Sequence, residues 1–167
     1  MAKYSFGLKT VKFGTPTGTV AMPAVLEQFA MTVKGSLKLS ESEASLKEFY
    51  VEEQSAPVEQ VIAEDSQLTA EWQCYDIAPA IITKVKGGTV TAGETSDTWA
   101  APGSSSIIKL AVELETASGV KVLIPKASVV ARFDGAMGKE ELLMMSIKLT
   151  ALDPGDGGSP YSIVIPD

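Results

Sequence analysis

Two pairs of adjacent carboxylates, Glu52-Glu53 and Glu140-Glu141, are the first candidates for chemistry in this 167-residue chain. Acid–base catalysis needs two carboxyl groups converging on one bond. Neighbouring side chains of a strand point to opposite faces, so these pairs diverge and read as solvated surface acids. The run DPGDGG (153–158) has the flavour of a calcium loop. It lacks the spaced ligands and closing glutamate of an EF-hand and reads as a turn. Cys74 alternates into an apolar run beside Trp72, the place of a small buried hydrophobe, with no basic neighbour in sequence to lower its pKa. Ser104, Ser105 and Ser106 with Lys109 are the residue types of a Ser–Lys dyad, but three serines in a loop-like composition suit solubility better. KGGTVTAG (86–93) has neither the Walker lysine nor the Rossmann spacing.

The inventory narrows the classes further. The chain has no histidine and no asparagine, and Arg132 is its one arginine. Zinc sites draw mainly on His and Cys, and a Ser–His or Cys–His nucleophilic pair cannot be built. Base readout in DNA leans on Arg and Asn, and a net charge of −7 repels phosphate. The expectation is a non-enzyme with no catalytic residues, no metal ligands and no cofactor. A single cysteine allows no internal disulfide, as befits a reducing cytoplasm. The longest nearly apolar stretch, IAPAIIT (77–83), is far short of the ~20 residues a bilayer requires. The start MAKYSFGLK alternates and does not read as a signal peptide.

Charge is distributed unevenly. Residues 1–40 carry +4, residues 41–76 carry −9 and residues 77–167 carry −2. The acidic stretch sets ten acids against Lys47 alone, beginning with ESEASLKEFYVEEQ (41–54). A basic N-terminal part and an acidic middle attract each other, within one molecule or between copies.

The elements that position these residues are mostly strands. FAMTVKGSLKLS (29–40) places Phe29, Met31, Val33, Leu37 and Leu39 on one face, as a half-buried strand does. SQLTAEWQC (66–74), IIKLAVELE (107–115) and ELLMMSIKLTAL (141–152) alternate in the same way. ASLKEFYVEE (44–53), VKVLIP (120–125) and ASVVARF (127–133) read as further strands. TASG (116–119) and DGAMGK (134–139) are hairpin turns, so the three runs between 107 and 151 form an antiparallel meander. Met137, Met144 and Met145 suit adaptable packing and read as core. One helix is predicted over about 77–86, with Asp76 as N-cap, Pro79 in the first turn, Lys84 and Lys86 in the last turn and Gly87-Gly88 as the stop. Residues 88–106 form an exposed loop with a short strand near Trp99. The fold class is mainly β: an antiparallel β-sandwich or barrel with one flanking helix. Residues 1–152 make the domain, including a polar hairpin over about 40–58, and 153–167 make a C-terminal turn and short tail, with YSIVI expected as a short edge strand.

This order of elements resembles that of phage major tail tube proteins. The likeness is carried by an early strand, YSFGLKTVKFGTP; a long polar hairpin, VKGSLKLSESEASLKEFYVEEQSAPVEQ; and a strand running into a helix, SQLTAEWQCYDIAPAIITKVKG. A meander containing GVKVLIPKA and ELLMMSIKLTAL completes it. It covers about residues 3–152 and rests on element order, not on a signature motif. The resemblance implies a structural subunit made in a bacterial host's cytoplasm and placed in the virion tail. Such subunits form stacked, hexameric rings around a channel and work with other tail proteins such as an initiator and a terminator. DNA passes along the channel without specific binding, and an acidic wall would keep it from adhering. Glu41, Glu43, Glu48, Glu52 and Glu53 are the candidate lumen or inter-ring acids. Lys9, Lys12, Lys34 and Lys38 are their candidate partners on a neighbouring subunit. A tube protein of a contractile injection or type VI secretion-like system is the nearest alternative. A ligand- or carbohydrate-binding β-sandwich, with Trp99 as its exposed aromatic, is the alternative from another class.

Overall fold

The computed structural model describes residues 4–166. Its architecture is mainly β and antiparallel with one short helix, as the sequence predicts. The largest sheet contains β1 (Leu8–Gly14), β2 (Glu27–Gln28), β3 (Lys38–Glu41), β6 (Leu68–Cys74), β9 (Ile108–Thr116), β10 (Lys121–Asp134), β11 (Met144–Ala151) and β12 (Ser162–Val164). Its order is β2-β1-β9-β10-β11-β6-β3, with β12 off this path and paired to β10. The segment linking β2 to β3 bonds to β1 and to β6, the strands next to the two ends of this path. Phe29 N–H donates to Val11 C=O at 2.8 Å, Val33 N–H donates to Gln73 C=O at 2.8 Å, and Thr32 bridges Cys74. The sheet is therefore drawn round into an incomplete barrel, with the first part of β1 still an open edge.

Alternation drives the closure. In β6, Leu68, Ala70, Trp72 and Cys74 are buried while Glu71 is exposed; in β11 the buried set is Met145, Ile147, Leu149 and Ala151. These residues meet Val11 and Phe13 of β1, Phe29, and Val112, Leu114, Ile124, Ala127 and Val129 in one core cluster. The Phe13 and Phe29 rings stand 4.6 Å apart, and Phe13 lies 6.0 Å from Trp72. In β9, Ala111 and Glu113 are buried as well as Val112 and Leu114, so both faces of that strand are covered.

Several boundaries differ from expectation, each for a local reason. The meander is present, but 120–125 and 127–133 are one strand, β10. Pro125 sits at the register shift between Ile124 and Ala127, where its missing N–H breaks no ladder bond. The shift lets β12 pair with Lys121–Leu123 and β11 with Ala127–Asp134 on the same edge. The TASG turn closes the β9–β10 hairpin with Gly119 at φ +85°. The β10–β11 connection is longer than DGAMGK and runs over 135–143, leaving Met137 exposed, while Met145 is fully buried.

The strand expected over 29–40 is broken. Gly35 takes φ +76° and Ser36 N–H bonds back to Val33 C=O, so alternation fails across the turn. Phe29 is buried, but Met31 is 84% exposed and Leu39 is 43% exposed. The helix α1 (Pro79–Lys86) starts later than predicted. Ala78, not Asp76, is its N-cap; Asp76 Oδ1 instead accepts from Ala78 N–H at 2.9 Å, in the turn before the helix. The C-terminal reading holds: Gly87, at φ +73°, ends the helix with its N–H on Thr83 C=O, and Lys84 and Lys86 lie in the last turn. Ile82 and Val85 are the buried face of α1, packed toward β10.

After α1 a small hairpin of β7 (Thr89–Thr91) and β8 (Thr98–Ala100) folds back. The 153–167 tail is not a loose appendage in its described part, because β12 joins the main sheet. No helix among the described residues is long and apolar enough to cross a membrane.

Candidate assembly surfaces

The acidic stretch is built mainly as an arm. β4 (Ser45–Phe49) and β5 (Glu59–Glu64) pair only with each other. The pairs Glu41↔Leu68 and Ser45↔Glu64 keep one register, so the arm continues the β3–β6 ladder outward. Ser42 and Gln67 fasten its root with a backbone bond at 3.0 Å and a Ser42 side-chain bond at 2.9 Å. Every residue from 38 to 67 is exposed. The hairpin thus spans Ser45–Glu64, not about 40–58, and it is not simply polar. Leu46 (58% exposed), Phe49, Tyr50, Val51, Val58, Val61 and Ile62 (61%) all face solvent.

The candidate acids divide between the arm and its root. Glu41 accepts from Ser66 Oγ at 2.9 Å and Tyr161 Oη at 2.8 Å, tying the root to the segment before β12. That bond holds the Tyr161 phenol above its ordinary pKa. Glu48 accepts from Tyr50 and from Gln60 across the arm. Glu43, Glu52 and Glu53 are exposed and form no ion pair among the described residues. Between 42 and 67 seven acids face the single Lys47, which itself lies over the Phe49 ring at 5.3 Å.

The four candidate lysines separate into two pairs. Lys9 Nζ binds Glu115 at 2.8 Å, and Lys12 Nζ binds Glu113 at 2.9 Å with Glu115 at 3.7 Å. Lys121 adds a third cation 3.9 Å from Glu113. Glu113, 8% exposed, is the one buried charged residue among those described, so Lys12 and Lys121 answer a charge that burial would otherwise penalise. Hydrogen bonding to Glu113 raises the Lys12 pKa against the opposing effect of burial, and the Lys9 hydrogen bond lowers that of Glu115. Lys34 and Lys38 are exposed and form no ion pair among the described residues. Elsewhere on the barrel strands, Glu71 pairs with Lys148 at 3.1 Å and Asp134 with Arg132 at 3.8 Å. Residues 42–67, with seven acids and one lysine, carry −6 of the chain's net −7, although Glu94, Asp97, Glu140 and Glu141 also form no ion pair among the described residues.

The residues considered for catalysis or ligand binding have structural partners or none. Burial pushes the Cys74 thiol up to about 11, with Asp76 adding to the rise, the opposite of an activated nucleophile. In the DPGDGG turn, Asp153 accepts from Gly155 N–H, and Asp156 accepts from Gly158 N–H and Val20 N–H. Those backbone donors hold the Asp156 carboxyl below its usual range. No group of three potential metal ligands occurs among the described residues. Glu140 and Glu141 are exposed on the 135–143 connection, Ser104–Ser106 are exposed between β8 and β9, and Lys109 is exposed on β9. Trp99 is half-buried, with its indole N–H on Gly87 C=O at 2.9 Å and its ring edge-on to Phe133 at 5.9 Å. A side chain so held fastens β8 to α1 and offers no open stacking platform.

The sequence reading missed β5 and the apolar content of the arm. The signal was Val61-Ile62, a β-branched pair set among acids in EQVIAE, opposite Leu46. No family model matches the chain, and no curated protein matches it.

Proposed function

We propose that this chain is a structural subunit of a phage or phage-like tail tube, assembling through its projecting arm into stacked rings around a DNA-conducting channel. The arm is the observation that carries the reading. An isolated two-stranded hairpin is at best marginally stable in water, and this one exposes apolar side chains while its strands pair with no strand outside the arm. A neighbouring subunit is what would complete it. Burying the remaining half of Leu46, Phe49, Val61 and Ile62 would contribute on the order of 4 kcal/mol per arm. Repetition around a ring multiplies that contribution. The partly closed barrel supports the same reading, because the arm stands outside it as a separate two-stranded sheet.

Of the two roles open to the acids, docking is better supported than a carboxylate wall. Most acids on the barrel strands, Glu27, Glu71, Glu113, Glu115 and Asp134 but not Glu41, pair with lysine or arginine, so those strands do not present a one-sided carboxylate wall. The arm with its root, residues 42–67, is the most one-sidedly acidic segment, with seven acids against Lys47, and there the acids set register against lysines of another copy. The test is negative-stain electron microscopy of the concentrated protein. Rings or hollow tubes are expected; single particles at every concentration, even with tail-initiator proteins added, would contradict the proposal.

A further inference from the structure

Beside the first half of β1 lies an open groove of about 810 Å3. It exists because β1 outruns its partner: β2 pairs only with Lys12 and Phe13, and the bond from Phe29 reaches Val11. Leu8–Thr10 then have no strand on that edge among the described residues. Across the groove the chain turns away toward β6 at Thr32. The lining combines exposed apolar groups, Phe6 and Met31, with Val33 and two lysines, Lys9 and Lys34; it contains no acid. Thr10 also lines it, with its hydroxyl buried and unpartnered.

We propose that this groove receives the arm of a second copy of the chain, with β5 laid along the free edge of β1 as an added strand. The inference rests on the assembly reading above and adds its acceptor. An extended edge beside apolar pockets is the geometry of strand addition, in which backbone bonds give affinity and alternate side chains give specificity. Charge complements charge: β5 carries Glu59 and Glu64 and no lysine, whereas the groove lining holds no acid and two lysines, of which Lys9 already pairs with Glu115, leaving Lys34 as the cation to be answered. Lys34 forms no ion pair within its own chain among the described residues. The arm does not fill its own groove, since all of β4 and β5 are exposed. Donor and acceptor are different surfaces of one molecule, so the contact is head-to-tail. Such contacts close into rings or run on as filaments.

Cysteine cross-linking tests this in the full chain. Met31→Cys and Ile62→Cys are made separately at exposed positions, and the two variants are mixed at high concentration under mild oxidation. Native Cys74 is buried and does not compete. The mixed disulfide should form well above that of a Val130→Cys and Ile62→Cys control. Adding Lys34→Glu should lower its yield about fivefold, and Glu64→Lys on the arm should restore it. Yield equal to the control overturns the proposal. Tubes without the cross-link would sink this contact and leave the tube reading standing. The cross-link without rings or tubes would support the contact and sink the tube reading.

Discussion

The Lys12–Glu113 pair shows how this molecule handles charge at the scale of single residues. Glu113 lies on the covered outer side of β9, and its carboxylate is tolerated because Lys12 and Lys121 reach it. Lys12→Met should leave that carboxylate short of its main donor and cost about 1–3 kcal/mol, read from urea unfolding. The pH dependence follows from the directions of the shifts. The folded-state pKa of Lys12 is raised above 10.5, so its contribution is intact below pH 10.5 and is lost as pH rises through the folded value. The Glu115 pKa is lowered from 4.5; its contribution is intact above that pH and is lost as pH falls through the folded value. In Lys12→Met the alkaline loss of stability should flatten, and an unchanged alkaline profile would show that the pair does not stabilise the fold. Neither Glu113 nor its burial was legible in the sequence. Polar–apolar alternation put it on a wet face, and only the covering of both faces of β9 made that face dry.

At the scale of elements, the path from α1 to the β7–β8 hairpin depends on Gly88. Its φ is +92°, and a Cβ there would meet Trp99 Nε1 at 2.8 Å and the Ala100 carbonyl. Gly88→Ala should therefore cost more than about 1 kcal/mol in urea and perturb Trp99 fluorescence; an unaltered midpoint and spectrum would contradict this packing. The helix stop at Gly87-Gly88 was readable from the sequence, as were β6, β9 and β11, because period-two burial and glycine punctuation act locally. The helix start was less so: Asp76 is a good capping residue, but it bonds two residues on, and Ala78 takes the cap position. The strand over 29–40 misled for a similar reason. Its alternation is real in sequence, yet the chain leaves β1 after Phe29, Met31 is exposed, and the positive φ of Gly35 turns the chain before Leu37.

For the whole molecule, the acidic stretch gains its meaning from position. Its charge was plain in the sequence, but the arm's separation from the barrel was not. Nothing local distinguishes a strand pair that packs on a core from one that projects beyond it. The barrel strands hold nearly matched charge, the arm holds unmatched acid and apolar surface, and the seam beside β1 offers lysine and an open edge. The most direct measurement is sedimentation velocity, paired with electron microscopy, on the full chain and on a variant in which residues 43–64 are replaced by a short Gly-Ser turn. The account predicts large hollow assemblies from the full chain and compact monomers from the variant, whose barrel core should unfold at nearly the same urea concentration. Assemblies of equal size from both proteins would contradict an arm-built tube.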